Sequence, residues 1–140
     1  MRVTGRTIVV FVALVGVFSF VFGWVITREV RSTAIRTDAR LEAIAAAIEA
    51  YAAAHGGDMP TSEAQLRAGV AADTVAAPDF ETGMKFLQVQ WPPNAELAPI
   101  LGANGLPTSI GTLPRVNGRL RSLARGSAAN SAVQAAPAAP

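Results

Sequence analysis

The chain has 140 residues, a formal net charge of +2, no cysteine and one histidine, and 51% of its residues are hydrophobic. This composition excludes disulfides, thiolate metal sites and thiol chemistry. It also excludes a large globular core, because the apolar content is concentrated in an N-terminal run and in alanine, which adds little core volume. Charge is unevenly placed. Residues 1–40 carry six arginines against Glu29 and Asp38, a balance of +4. Residues 41–96 carry eight acids against Arg67 and Lys85, −6, and residues 97–140 carry Arg115, Arg119, Arg121 and Arg125 with no acid, +4. An acidic middle between basic ends suits head-to-tail packing of copies or contact with anionic lipid, and equally a solvated surface.

After a short N-terminal segment (1–6), "TIVVFVALVGVFSFVFGWVI" (7–26) is an uncharged run of 20 residues. As a helix it covers ~30 Å, the thickness of a bilayer's hydrocarbon core, and it reads as a transmembrane helix. Trp24 and Arg28 fall where an interface anchor belongs. Gly16, Ser19 and Gly23 supply small side chains that let another helix approach closely. A cleaved secretory signal is the alternative, with "MRVTGR" as its basic start. The apolar run is longer than such signals use, and Trp24 would be a bulky first residue after the cut. Arginine counting alone places the C-terminal side of the span in the cytoplasm.

No glycine or proline interrupts residues 24–55. Leu41, Ile44, Ile48 and Tyr51, spaced by 3, 4 and 3, lay one apolar stripe along a helix. The spacing predicts one nearly continuous helix from about Thr7 to His55, with 27–55 as an amphipathic extension. Its stripe needs a cover, from the rest of this chain or from another subunit. Gly56 supplies a left-handed stop, and His55 lies in the last turn, facing the helix dipole. In "PTSEAQL", Ser62 and Gln65 form a capping box for a short helix to about Ala68, ended by Gly69.

"MKFLQVQW" (84–91) alternates at its end and predicts a half-buried strand stopped by Pro92-Pro93. Asp79 and Glu81 fall in a "PDFETG" segment read as a loop with solvated acids. Asn117-Gly118 predicts a two-residue turn between short strands, with a basic helix over Arg119–Arg125 as the alternative. The alanine- and proline-rich end (124–140) predicts a disordered tail. The expected fold class is α+β: a long N-terminal helix packed on a short helix and a small antiparallel sheet, with the head spanning 56–123.

This arrangement resembles type IV pilin-like proteins, and most closely the major pseudopilin of type II secretion systems. "LEAIAAAIEAYAAAHGGDMPTSEAQL" carries the resemblance at Leu41, Tyr51, Gly57, Pro60, Thr61, Ser62, Glu63 and Leu66. It covers roughly the first seventy residues, and the sequence beyond Val70 does not follow the family. The resemblance implies a bacterial inner-membrane, single-pass protein with a periplasmic head, opposite to the arginine count. It also implies a processing site, of which "GRTIVV" is a degenerate version. Gly5, Thr7 and Ile8 fit the family pattern; Arg6 stands in place of phenylalanine and Val10 in place of glutamate. In the family that carboxylate is thought to meet a neighbour's N-terminal amine during assembly, which Val10 cannot do. The calcium loop often found late in the major pseudopilin needs carboxylate ligands, and no Asp or Glu follows Glu96.

With one histidine, no cysteine and no evident pair of acids on a pocket, no catalytic, cofactor or metal constellation is readable. "RVNGRLRSLAR" (115–125) is basic but carries no interleaved aromatic, which argues against nucleic acid. The expected function is therefore a non-enzymatic, membrane-anchored, pseudopilin-like structural subunit. Its partners would be membrane lipid, other pilin-like or membrane-complex subunits, and copies of itself. The alternative is an accessory single-span subunit of a larger bioenergetic or transport complex. A third reading uses Arg119–Arg125 to hold a lipid surface.

Overall fold

A computed structural model describes the backbone of residues 5–75 and 77–135, and the side chains of residues 10–74 and 77–129. Its first element, α1 (Gly5–Ala54), is a single helix of 50 residues, ~75 Å long. Alanine and straight-chain residues favour it, and the first glycine beyond Gly23 is Gly56. From Val10 to Arg31 every side chain of α1 is exposed, whereas Ala34, Thr37, Leu41, Ile44 and Ile48 are buried. The helix thus has two halves, one with no cover and one under a folded head.

Helix α1 stops as its glycines require. Gly56 and Gly57 adopt φ of 69° and 103°, and Gly57 N–H donates back to the Ala52 carbonyl at 2.7 Å. Helix α2 (Glu63–Gly69) follows with its reciprocal cap in place. Gln65 N–H donates to Ser62 Oγ at 3.2 Å, and Gln65 Oε1 accepts from Thr61 N–H at 2.8 Å. The chain continues through α3 (Ala72–Val75), α4 (Pro78–Phe86), β1 (Gln88–Gln90), β2 (Ile100–Gly102) and α5 (Thr112–Ala135). The two strands pair antiparallel, with Val89 opposite Leu101.

Four expectations are corrected. The strand expected over 84–91 is only Gln88–Gln90, because Met84–Phe86 complete helix α4. The "PDFETG" segment is that helix and not a loop: Pro78 opens it, and Asp79 and Glu81 fall in its first turn, where acids suit the dipole. Asn117-Gly118 is no hairpin turn; it lies inside α5, whose Val116, Leu120 and Ala124 bury one helical face at i, i+4 and i+8. The same helix carries the alanine-rich segment to Ala135, where a loose tail was expected from 124. Residues 136–140 lie outside the described residues.

The core is small and gathers around the outer half of α1. Leu41, Ile44 and Ile48 meet Leu66 of α2, Phe80 of α4 and Leu120 of α5, all fully buried. Helix α5 runs parallel to α1: Arg115 pairs with Glu42, Arg119 with Glu42 and Glu49, and Ser127 lies beside Gly57. Helix α4 runs the opposite way. Its Glu81 meets Arg67 of α2, while Phe86 at its far end lies under the Arg40 guanidinium. These directions place the C-terminal end of α4 and the loop before α5 at the end of the head nearest the bare half of α1.

Candidate functional site

The bare half of α1 is long and apolar enough to cross a membrane. Phe11, Phe18, Phe20 and Phe22 stand exposed on it, with Phe18 and Phe22 stacked at 6.2 Å between centroids. An apolar cylinder of this kind is unstable in water and comfortable in hydrocarbon, while its backbone groups are satisfied internally. Gly16, Ser19 and Gly23 share one face, at steps of 3 and 4, and a Cβ added at Gly16 or Gly23 would meet nothing within 4 Å. The backbone there is open to close approach by another helix.

At the end of the run the Arg28 guanidinium lies 5.8 Å from the Trp24 ring centre. An indole and a cation held together in this way favour the water–lipid boundary. Thr27 returns its hydroxyl to the Gly23 carbonyl at 2.8 Å, so the helix continues past Trp24 and Arg28 with that polar group satisfied. Gly5 and Arg6 belong to the first turn of α1, and their side chains lie outside the described residues.

The stripe residues converge beneath the head. Leu41, Ile44 and Ile48 are fully buried and Tyr51 nearly so. Tyr51 stacks on His55 at 4.0 Å, and the His55 Nδ1 lies 2.8 Å from the Tyr51 carbonyl, in the last turn of the helix. Gly69 is pressed against this pair: a Cβ there would stand 2.4 Å from Tyr51 Cε2. Tyr51, its neighbour His55 and the glycine that ends α2 thus form one contact.

Charge ties the remaining elements to α1. Arg115 reaches Glu42 at 2.8 Å; Arg119 donates to Glu42 at 3.1 Å and to Glu49. Partial burial opposes the charge of Arg119, but the hydrogen bond and charge of Glu49, with help from Glu42, outweigh it and raise its pKa. On the other flank Arg67 binds Glu81 at 2.5 Å and Glu63 at 2.7 Å while lying over Phe80. The Glu81 hydrogen bond, then that of Glu63, raises Arg67; the same bond lowers the Glu81 carboxyl. Sequence reasoning missed these pairs. The spacing of Glu42 and Glu49 by two turns, matched by Arg115 and Arg119 one turn apart, was the available signal. It stayed hidden while 116–119 read as a hairpin.

Two clefts among the described residues open on the head. One, of about 920 Å³, lies between the end of α1 and α5, lined by Glu49, Ala52, Gly56, Arg119 and Leu123. The other, of about 280 Å³, is bounded by Trp91, Pro92, Leu97, Ile100 and Arg121. Among the described residues no group of three His, Cys, Asp or Glu could hold a metal ion. The described side chains offer surfaces for helix packing, ion pairing and apolar contact. Comparison of the chain with protein-family models, with curated proteins and with solved structures finds no match in any of the three.

Proposed function

We propose that this chain is a non-enzymatic, single-pass membrane protein that acts as a structural subunit of a pilus- or secretion-type assembly, similar to a pseudopilin. One observation carries the reading: a single unbroken helix is exposed and apolar from Val10 to Ile26 and covered by a small head from Leu41 to Ala52. Such a rod couples an event among helices within the bilayer to the position of a head outside it. Gly16, Ser19 and Gly23 would meet neighbouring helices, and Leu41, Ile44, Ile48 and Tyr51 keep the head in register with the rod. The pilin-like reading places the span in a bacterial inner membrane and the head in the periplasm.

Val10 at the position of the family's buried glutamate favours a second reading, an accessory single-span subunit of a larger membrane complex. A subunit without that carboxylate has no ion pair to offer a neighbour's terminal amine within lipid. The mass of the chain extracted from membranes separates the two. Loss of five residues with a methylated new terminus supports the pilin route, whereas an intact N-terminus excludes that processing. Purification in mild detergent then identifies the company it keeps: copies of itself and pilin-like subunits, or foreign subunits.

A further inference from the structure

The end of the head facing the bare half of α1 has its own chemistry. Ile110 sits there with its side chain fully exposed, next to Ser109, whose N–H donates to the Asp38 carboxylate at 3.2 Å. Phe86 closes α4 at the same end, about half exposed, with the Lys85 ammonium 5.5 Å from its ring centre. Arg31 lies on the Asp38 face of α1, seven residues and ~10 Å nearer the span, and is exposed. Helix α5 points its N-terminal end the same way, with no acid in its first turn. Asp38 is engaged by Ser109, and Glu29, two residues from Arg31, projects from the far side of α1.

We propose that this end of the head docks on the headgroup layer of the bilayer that α1 crosses, with Ile110 and Phe86 dipping into the interface and Lys85 and Arg31 meeting anionic phospholipid. The proposal rests on the single-span reading of α1. Its reach is consistent: Ala34, the first buried residue of α1, lies eight residues, ~12 Å, beyond Ile26, and headgroups extend ~5–8 Å past the hydrocarbon. A tilt of α1 toward α5, within the range of ~0–40° that membrane helices adopt, closes the gap. Docking then fixes tilt and rotation of the rod, which a free apolar helix leaves open. Two apolar side chains presented beside two cations match an anionic lipid surface better than the ion-paired flanks of the head, where Glu42, Glu49, Glu63 and Glu81 already hold their arginines.

The chain has no cysteine, so a single introduced thiol reports cleanly. The full chain carrying Ile110→Cys, labelled with an environment-sensitive fluorophore, is reconstituted into phosphatidylcholine vesicles with or without phosphatidylglycerol. A blue shift at 110 on the anionic vesicles, quenched by lipids spin-labelled near the headgroup, is expected, while a label at Asp58→Cys, beyond the far end of α1, stays aqueous. Lys85→Gln and Arg31→Gln should each lower the docked-to-undocked ratio about fivefold. Aqueous emission at 110 from a chain that resists carbonate extraction overturns the docking and leaves the span intact. Release of the chain by carbonate defeats the span itself, and the docking with it. A blue shift that grows with the protein-to-lipid ratio assigns the surface to a second copy and also overturns the proposal.

Discussion

Asn117 holds Leu101 at both ends of its backbone. The Leu101 N–H donates to Asn117 Oδ1 at 2.8 Å, and Asn117 Nδ2 donates to the Leu101 carbonyl at 2.9 Å. The side-chain amide of a helix residue thus stands in for a third strand on the free edge of β2. A two-stranded sheet is marginal in water, and here the buried edge groups are satisfied by the helix that covers them.

Replacing Asn117 by Ala leaves the Leu101 N–H and carbonyl buried without partners. A loss of roughly 2–4 kcal/mol is expected, and Asn117→Asp, which keeps the acceptor but sets a carboxylate against the carbonyl, should not restore it. Thermal unfolding of the detergent-solubilised chain measures both. An unchanged midpoint for Asn117→Ala would show that the edge needs no such clamp.

The stripe beneath the head should be costly to trim. Ile48→Ala and Leu41→Ala each open a cavity at a fully buried position and should destabilise the head by about 2–5 kcal/mol. Phe18→Ala, on the exposed run, should leave head unfolding unchanged. Equal effects of the two kinds of substitution would argue against the division of α1 into a bare half and a covered half.

Two glycines should respond in opposite directions. Gly57 has φ of 103°, and a Cβ there would lie 2.4 Å from Ser127 Oγ, so Gly57→Ala should destabilise the junction of α1 with α5. Gly118 lies within α5 with nothing within 4 Å of its added Cβ, and Gly118→Ala should stabilise by about 1 kcal/mol. Paired melting curves check the two signs. A destabilising Gly118→Ala would contradict the helical state of 112–135.

Acid should loosen the flank held by Arg67. The Arg67 hydrogen bond lowers the folded-state pKa of Glu81, so the unfolded chain binds the proton more readily. That contribution is complete above the ordinary carboxylate range and fades as pH falls through the lowered value. Glu81→Gln should flatten the acid limb of a stability–pH curve, and added salt should shrink the difference, since the pair is exposed. An acid limb unchanged in Glu81→Gln would remove this pair from the account.

Much of the local structure was legible in the sequence because local physics sets it. The absence of proline, and of glycine between Gly23 and Gly56, keeps α1 continuous; Gly56 has no Cβ to oppose a left-handed stop; Ser62 and Gln65 cap a helix start through groups three residues apart. The spacing of Leu41, Ile44, Ile48 and Tyr51 identified a buried face before its cover was known. Where local signals misled, a larger burial outweighed them. Asn117-Gly118 suits a tight turn, yet burying Val116, Leu120 and Ala124 against α1 favours helix and turns Asn117 into a clamp for Leu101. Met84–Phe86 could extend a strand, but Pro78 and the acids after it start a helix that delivers Phe80 to the core.

The sequence by itself determined an apolar rod that continues into an amphipathic one, since both follow from residue type and helical period. What covers that rod was decided only by tertiary structure. The pairing of Gln88–Gln90 with Ile100–Gly102, the parallel course of α5, and the placing of Phe86 and Ile110 at one end of the head all join residues far apart in the chain. Such contacts form because a small core must exclude water on every side at once, and no window of neighbouring residues contains that condition.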